Sequence, residues 1–167
     1  MSALMLRHVA PADAEAICAI YNPHVRDTIV TFEDVPVSPA QMAERIAQVQ
    51  GAGYPWWVAD AGGRIAGYAY AARWRSRAAY DPTVETTIYV AADAQRGGIG
   101  VPLYDALLGD LADRGYHVAL GCIALPNPAS VAFHERCGFR KVAHHAEVGR
   151  KFGRWIDVGF WQRMLQR

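Results

Sequence analysis

Charge of one sign is missing from this 167-residue sequence: 17 basic residues stand against 16 acidic ones, and only Lys141 and Lys151 among the bases are lysines. A net charge of +1 lacks the concentrated positive field with which proteins grip nucleic acid through its phosphates, although a local cluster of arginines remains compatible with it. No apolar run approaches the roughly 18–20 residues of a membrane span. The segment Met1–Val9 carries one arginine and turns polar at Pro11 and Asp13, so no signal peptide is expected. Cys18, Cys122 and Cys137 form no CxxC and no Cys/His ligand spacing, which argues against both a disulfide framework and a metal site. A reducing cytoplasm is the expected compartment. Repeats, low-complexity tracts and linkers are also absent.

What is present suits one domain over residues 1–167, with 52% hydrophobic residues to fill its core. Leu4–Val9 alternates as a short strand, and Pro11 opens a helix that Asn22-Pro23 is expected to break or kink. A second helix begins after Ser38-Pro39 and stops at Gly51 and Gly53. Trp56–Ala59 and Ile65–Arg73 read as strands joined through Gly62-Gly63, followed by a basic and aromatic loop, Trp74–Pro82. Thr83–Ala91 is rich in β-branched residues and reads as a central strand. Beyond it come a helix over Ile99–Arg114, a strand over Val118–Ile123, a short helix over Asn127–Cys137 and a strand over Phe139–Ala143. A last hairpin joins Ala146–Phe152 to Trp155–Trp161. The order predicts an α/β fold: a mixed sheet of about seven strands flanked by four helices.

Gln95-Arg96-Gly97-Gly98-Ile99-Gly100 lies directly between a strand and a helix. At a helix start the first amides lack backbone partners and the dipole is positive, which suits a phosphate. Glycines let the backbone approach an anion closely, and Arg96 adds a charged fork. A P-loop would need Lys-Ser or Lys-Thr after the last glycine, where Val101-Pro102 stands; a dinucleotide fingerprint would need glycine at position 103, where Leu103 stands. What remains is Gln-x-x-Gly-x-Gly, filled by Gln95, Gly98 and Gly100. A glycine turn that merely starts a helix accounts for these six residues equally well, so a second site is needed.

Asn127, Ser130, His134, Gly138 and Phe139 supply one. With the glycine turn they resemble the GNAT superfamily of acetyl-CoA-dependent N-acetyltransferases. Asn127-Pro128 also reads simply as a helix cap followed by proline at the first helical position; the resemblance implies that Asn127 additionally bonds the pantetheine arm. The implied cofactor set is Ile88, Tyr89, Val90, Gln95, Arg96, Gly97, Gly98, Ile99, Gly100, Val101, Asn127 and Ser130. His134 stands where most of the superfamily has a tyrosine thought to protonate the departing thiolate. An imidazole is suited to that task, and a packed, hydrogen-bonded core histidine is the plainer alternative. Ala19–Asn22, Trp74–Glu85, Leu125–Asn127 and Asp157–Arg163 resemble the phosphinothricin and methionine sulfoximine branch, which shares the histidine. That resemblance implies a homodimer acting on small amino-acid analogues.

In Thr83–Val90, alternation puts Glu85, Thr87 and Tyr89 on one face and Val84, Thr86, Ile88 and Val90 on the other. A carboxylate in an apolar central strand is costly unless it is paired or functional. Glu85 is therefore either a base for the attacking amine, whose pKa is about 8 in an α-amine, or a structural partner of an arginine. Backbone amides of Ile88–Val90 suit the thioester and pantetheine as an added strand would. Arg73, Arg75 and Arg77 alternate around Trp74. Arg75 and Arg77, with Ser76, Phe32, Glu85, Thr86 and Thr87, form the expected substrate set, and Trp74 and Tyr80 its walls. A solvated basic loop is the alternative. The expected activity is direct acetyl transfer, without metal and without an acyl-enzyme, to the α-amine of a small amino-acid analogue, with antibiotic or herbicide resistance as its outcome. Acetylation of a protein N-terminus or polyamine, or a CoA-binding module without turnover, are the competing readings.

Overall fold

The computed structural model describes residues 3–165; Met1, Ser2, Gln166 and Arg167, the ends of the expected domain, lie outside them. Seven strands and four helices follow in the order β1 (Leu4–His8), α1 (Ala14–Asp27), α2 (Pro39–Gly51), β2 (Trp56–Ala61), β3 (Ile65–Arg73), β4 (Thr83–Val90), α3 (Gly100–Asp113), β5 (Val118–Leu125), α4 (Pro128–Arg136), β6 (Arg140–Lys151) and β7 (Arg154–Met164). One sheet holds every strand in the order β1-β2-β3-β4-β5-β7-β6. Only β4 and β5 run parallel; each other pair is antiparallel.

The sheet separates two apolar layers. On one face α1 and α2 bury Ile17, Tyr21, Val25, Met42 and Ile46 against Trp56, Val58 and Tyr68. On the other, Leu103, Tyr104, Leu107, Leu108 and Leu111 of α3 meet Ala59, Ala69, Ala71 and Val84. Full burial of each leucine contributes about 1.5–3 kcal/mol. The small alanines let the helix lie close to the strands, and a Cβ on Gly67 would stand only 3.2 Å from Leu103 Cδ2.

Two local expectations are corrected. Pro23 does not break α1, which runs on to Asp27. The Asn22 side chain both donates to and accepts from the Val37 backbone, at 2.8 Å each, so this turn is pinned from outside. Burial of Ile20, Tyr21 and Val25 across the proline offsets the one lost helical bond. The separate strand Phe139–Ala143 and the first arm of the last hairpin are one strand, β6, with irregular register at Lys141/Ala143 and His145/Gly149. Bulging absorbs the residues that break the alternation, and Glu147, at φ 53°, is held by its amide donating to Asp157 Oδ1 at 2.9 Å.

Arg7 ties the sheet edge to the start of α1. Its guanidinium donates to both Asp13 oxygens at 2.8 and 2.9 Å and to Asp60 Oδ2 at 3.1 and 3.2 Å. The Arg7 bond holds the Asp13 carboxyl below its ordinary value against the opposing effect of burial. Replacing Arg7 by leucine leaves two largely buried carboxylates without a cation and is expected to cost about 2–4 kcal/mol in urea unfolding at neutral pH. Because a lowered folded-state pKa stabilises only above the unfolded value, the gap between wild type and Arg7→Leu narrows as pH falls below about 4. A gap independent of pH would reject this account.

Candidate active site

β4 and β5 part company in the middle of the sheet. Their parallel pairing runs from Thr83↔Val118 to Thr86↔Gly121 and stops, although β4 continues to Val90 and β5 to Leu125. Each strand keeps its outer partner: β4 stays with β3 as far as Val90↔Gly67, and β5 with β7 as far as Leu125↔Asp157. The resulting fork opens a cleft of about 450 Å³, with Thr87–Val90 on one wall and Ile123 and Ala124 on the other. Tyr21, His24 and Val30–Glu33, from α1 and the segment after it, form its roof.

Glu85 sits at the crotch of the fork. It lines the cleft, is half-buried, and makes no ion pair among the described residues. Burial raises its carboxyl pKa above the ordinary range, which suits a proton acceptor near neutral pH. The arginine partner weighed for it from sequence is absent from the cleft lining, which contains no Arg or Lys. Cys122, exposed to the same space, has its thiol pushed up to about 11 by partial desolvation together with the negative charge of Glu85. So weakly acidic a thiol is no nucleophile at neutral pH, in keeping with direct transfer.

His134 lies at the same crotch, over Gly121. A Cβ there would stand 2.8 Å from His134 Cδ2 and 2.9 Å from Nε2, so the absence of a side chain at 121 is what admits the ring. Nδ1 is 2.8 Å from the Ser130 carbonyl, which only accepts, so Nδ1 carries the hydrogen. Nε2 faces the Tyr104 hydroxyl at 3.3 Å. Burial lowers the His134 pKa, partly opposed by the Ser130 carbonyl, and favours the neutral ring. The residue is thus both packed and part of the cleft lining, which makes the two sequence readings compatible.

Of the expected cofactor residues, Ile88, Tyr89, Val90, Gln95, Asn127 and Ser130 line the cleft. Asn127 caps α4 by accepting from Ser130 N at 3.1 Å. Arg96, Gly97, Gly98, Ile99, Gly100 and Val101 continue past the cleft around the turn that starts α3. Arg96 and Gly98 adopt φ 64° and 77°, and Ile99 offers no side-chain cap, so the first amides of α3 keep free donors. Gly100 has Phe133 against it, 3.0 Å from the position of a Cβ.

Phe32, Glu85, Thr86 and Thr87 also line the cleft. Arg75, Ser76 and Arg77 do not. Their loop leaves β3 at Arg73, which pairs with Val84 at the closed end of the fork. There Arg73 pairs with Asp81 at 2.8 Å, Arg75 stacks 4.6 Å over Trp74, and Trp74 packs edge-on against Tyr80. Within one chain these residues stay outside the cleft. Apart from Phe32, sequence reasoning missed the roof. Glu33 is gripped by Arg45 at 2.6 and 2.9 Å and accepts from the Tyr21 hydroxyl at 2.7 Å. Lys151, only 7% exposed, donates to the Thr31 carbonyl at 2.8 Å, and the Phe32 ring occupies the space where Gly149 has no side chain. These partners come from three separate elements, α1, α2 and β6, and no local pattern announces them.

Residues 6–159 match the family described as Acetyltransferase (GNAT) domain. The chain belongs to this family. The expected mixed fold and acetyl-CoA-dependent N-acetyltransferase activity stand with that membership. Over 158 residues the chain is 40% identical to the phosphinothricin N-acetyltransferase of Streptomyces viridochromogenes, covering 95% of this chain and 86% of that protein. It is 37% identical to the L-methionine sulfoximine/L-methionine sulfone acetyltransferase of Pseudomonas aeruginosa, covering 96% and 94%. The crystal structure of a GNAT superfamily phosphinothricin acetyltransferase from Sinorhizobium meliloti in complex with AcCoA superposes with a TM-score of 0.93 at 38% identity, covering 99% of this chain and 90% of that one.

The Gly121–His134 contact yields a direct test. Gly121→Ala forces the ring to move and is expected to destabilise the protein by about 1–3 kcal/mol, seen as a lower Tm, with a matching loss of acetyl transfer. Wild-type Tm and turnover in this variant would mean that the ring does not depend on the glycine.

Proposed function

We propose that this enzyme transfers the acetyl group of acetyl-CoA to the primary α-amine of a small amino-acid analogue of the phosphinothricin, methionine sulfoximine or methionine sulfone type. The observation that carries the reading is the unpaired, half-buried Glu85 at the head of the β4–β5 fork. Acetyl-CoA fits the residues around it. Beyond Thr86 the β4 edge lacks its β5 partner and suits an extended amide-bearing chain, while the turn Gln95–Gly100 offers free amides to a diphosphate.

In this mechanism Glu85 accepts a proton from the amine, directly or through a water. The amine nitrogen then bonds to the thioester carbonyl carbon as the carbon–sulfur bond breaks, and the thiolate takes up a proton. His134, whose Nε2 lies beside Gly121 at the crotch, is the proposed donor. Backbone amides of Ile88–Val90 hold the carbonyl oxygen as charge builds on it. A neutral Cys122 stays out of the reaction.

A homodimer is part of the proposal. β6 forms an open sheet edge, and Val142, Val148, Phe152 and Trp155 are exposed on the β6–β7 hairpin, an apolar surface of the kind that subunit contacts cover. A carboxylate-binding cation would have to enter the cleft from Arg75 or Arg77 through such assembly or through loop movement. A roof over the cleft favours a compact amine over a protein N-terminus. No described helix is long and apolar enough to cross a membrane, and a cytoplasmic enzyme that confers resistance by capping a toxic amino-acid analogue is the corresponding role.

Thiol release from acetyl-CoA with methionine sulfoximine, methionine sulfone and phosphinothricin tests the substrate class; release only with polyamines or peptides would reject it. Glu85→Gln is expected to lower kcat by about 10²–10³-fold with the KM for acetyl-CoA nearly unchanged. It should also remove the fall in activity that wild type shows as pH drops through the raised Glu85 value. Equal turnover would exclude Glu85 as the base. Gly100→Trp, by filling the phosphate turn, is expected to abolish acetyl-CoA binding in calorimetry.

A further inference from the structure

Beside His134, at the last pair of the β4–β5 seam, two hydroxyls and a carbonyl lie in line. Tyr104 Oη is 3.3 Å from His134 Nε2 and 2.7 Å from Thr86 Oγ1, and Thr86 Oγ1 is 3.2 Å from the Leu120 carbonyl. Tyr104 is fully buried, and Thr86 and His134, although they line the cleft, are only 4% and 6% exposed, so each depends on its protein partners. A buried polar atom left unpaired carries the full cost of its lost hydration. The hydrogen positions are therefore constrained by counting.

With Nδ1–H committed to the Ser130 carbonyl, a neutral His134 presents a bare lone pair at Nε2. Only Tyr104 can supply a hydrogen to it, which requires Thr86 to donate to Tyr104. When His134 is protonated, Nε2–H must donate. Tyr104 then accepts, its own hydrogen swings to Thr86, and the Thr86 hydrogen swings to the Leu120 carbonyl. Each oxygen keeps its own proton throughout; only the direction of donation reverses. A fixed donor or a fixed acceptor at this position would serve one protonation state and penalise the other.

We propose that the Tyr104 and Thr86 hydroxyls form a reversible hydrogen-bond chain that supports His134 both as imidazole and as imidazolium, making Tyr104 a positioning residue for the proton donor in acetyl transfer. The catalytic part of this proposal rests on the donor role given to His134 above. No charged group competes for control of the ring. Its aromatic neighbours are Phe133, Phe139 and Tyr104, β5 meets it at Gly121 and β4 reaches it from Thr86 through Tyr104, and Glu85 of the cleft lining lies on the opposite face of β4 from Thr86. The Tyr104 phenol is itself held protonated by burial and is not a proton source.

The test uses the intact enzyme with ¹⁵N-labelled histidine, assigning His134 against His134→Gln. Wild type is expected to show the Nδ1–H tautomer, the minor one in free histidine. Tyr104→Phe and Thr86→Val should each lower the His134 titration midpoint by about one pH unit. Both should lower kcat by about tenfold with KM for acetyl-CoA changed by less than twofold, and Thr86→Ser should restore both readings. Should Tyr104→Phe fail to fold, the Thr86→Val and Thr86→Ser pair carries the test alone. An Nε2–H tautomer in wild type, or an unchanged midpoint in the variants, overturns the chain. A shifted midpoint with unchanged kcat overturns its part in the reaction. Absence of acetyl transfer to any amine would defeat the functional reading, while the tautomer and titration still report on the chain.

Discussion

Everything functional in this molecule follows from two neighbouring parallel strands that stop pairing halfway along. The ladder between β4 and β5 has four pairs, whereas β4 keeps seven with β3 and β5 keeps eight with β7. Each strand is thus secured by its outer neighbour, and the inner seam can open without unravelling the sheet. Gly121 and Thr86, the last pair of the seam, are also the residues through which His134 is seated, one by having no side chain and the other through Tyr104. Opening the sheet and positioning the ring are one construction.

The chemistry of the cleft comes from what surrounds its titratable groups. Glu85 and His134 approach the crotch from opposite faces of the sheet, and neither has an opposing charge to pin its protonation state. Burial moves them toward each other, raising the carboxyl and, against the opposing Ser130 carbonyl, lowering the imidazole. Two groups shifted in this way can exchange protons with a substrate at little cost near neutrality. Roof carboxylate Glu33 has the opposite treatment: the Arg45 fork and the Tyr21 hydroxyl keep it ionised and structural. Two glutamates line one cleft, and their partners decide which is free to react.

Much of this was legible along the chain because the signals are local. Alternation in Thr83–Val90 marked Glu85 as anomalous; Asn127-Pro128 announced the start of α4, and the glycines at 97, 98 and 100 marked the turn before α3. Errors arose wherever a local signal was overruled by something distant. Pro23 reads as a breaker until Asn22 is seen bound to Val37, fifteen residues on. The basic loop Arg73–Arg77 precedes Glu85 closely in sequence, yet strand pairing carries it to the closed end of the fork. Tyr104 carries no signal in the sequence, because a hydroxyl facing a histidine thirty residues away leaves no pattern on its own helix.

Residue order alone determined the succession of strands and helices, the glycine-rich turn before α3 and the isolated acid. These depend on backbone preference and on side-chain period, and both act over a few residues. Where the seam opens, which carboxylate is left without a cation and which way the His134 hydrogens point were decided only by the tertiary structure. They depend on groups from β4, α3, β5 and α4 meeting at one place, and burial there turns ordinary side chains into a site by removing the water that would otherwise satisfy them.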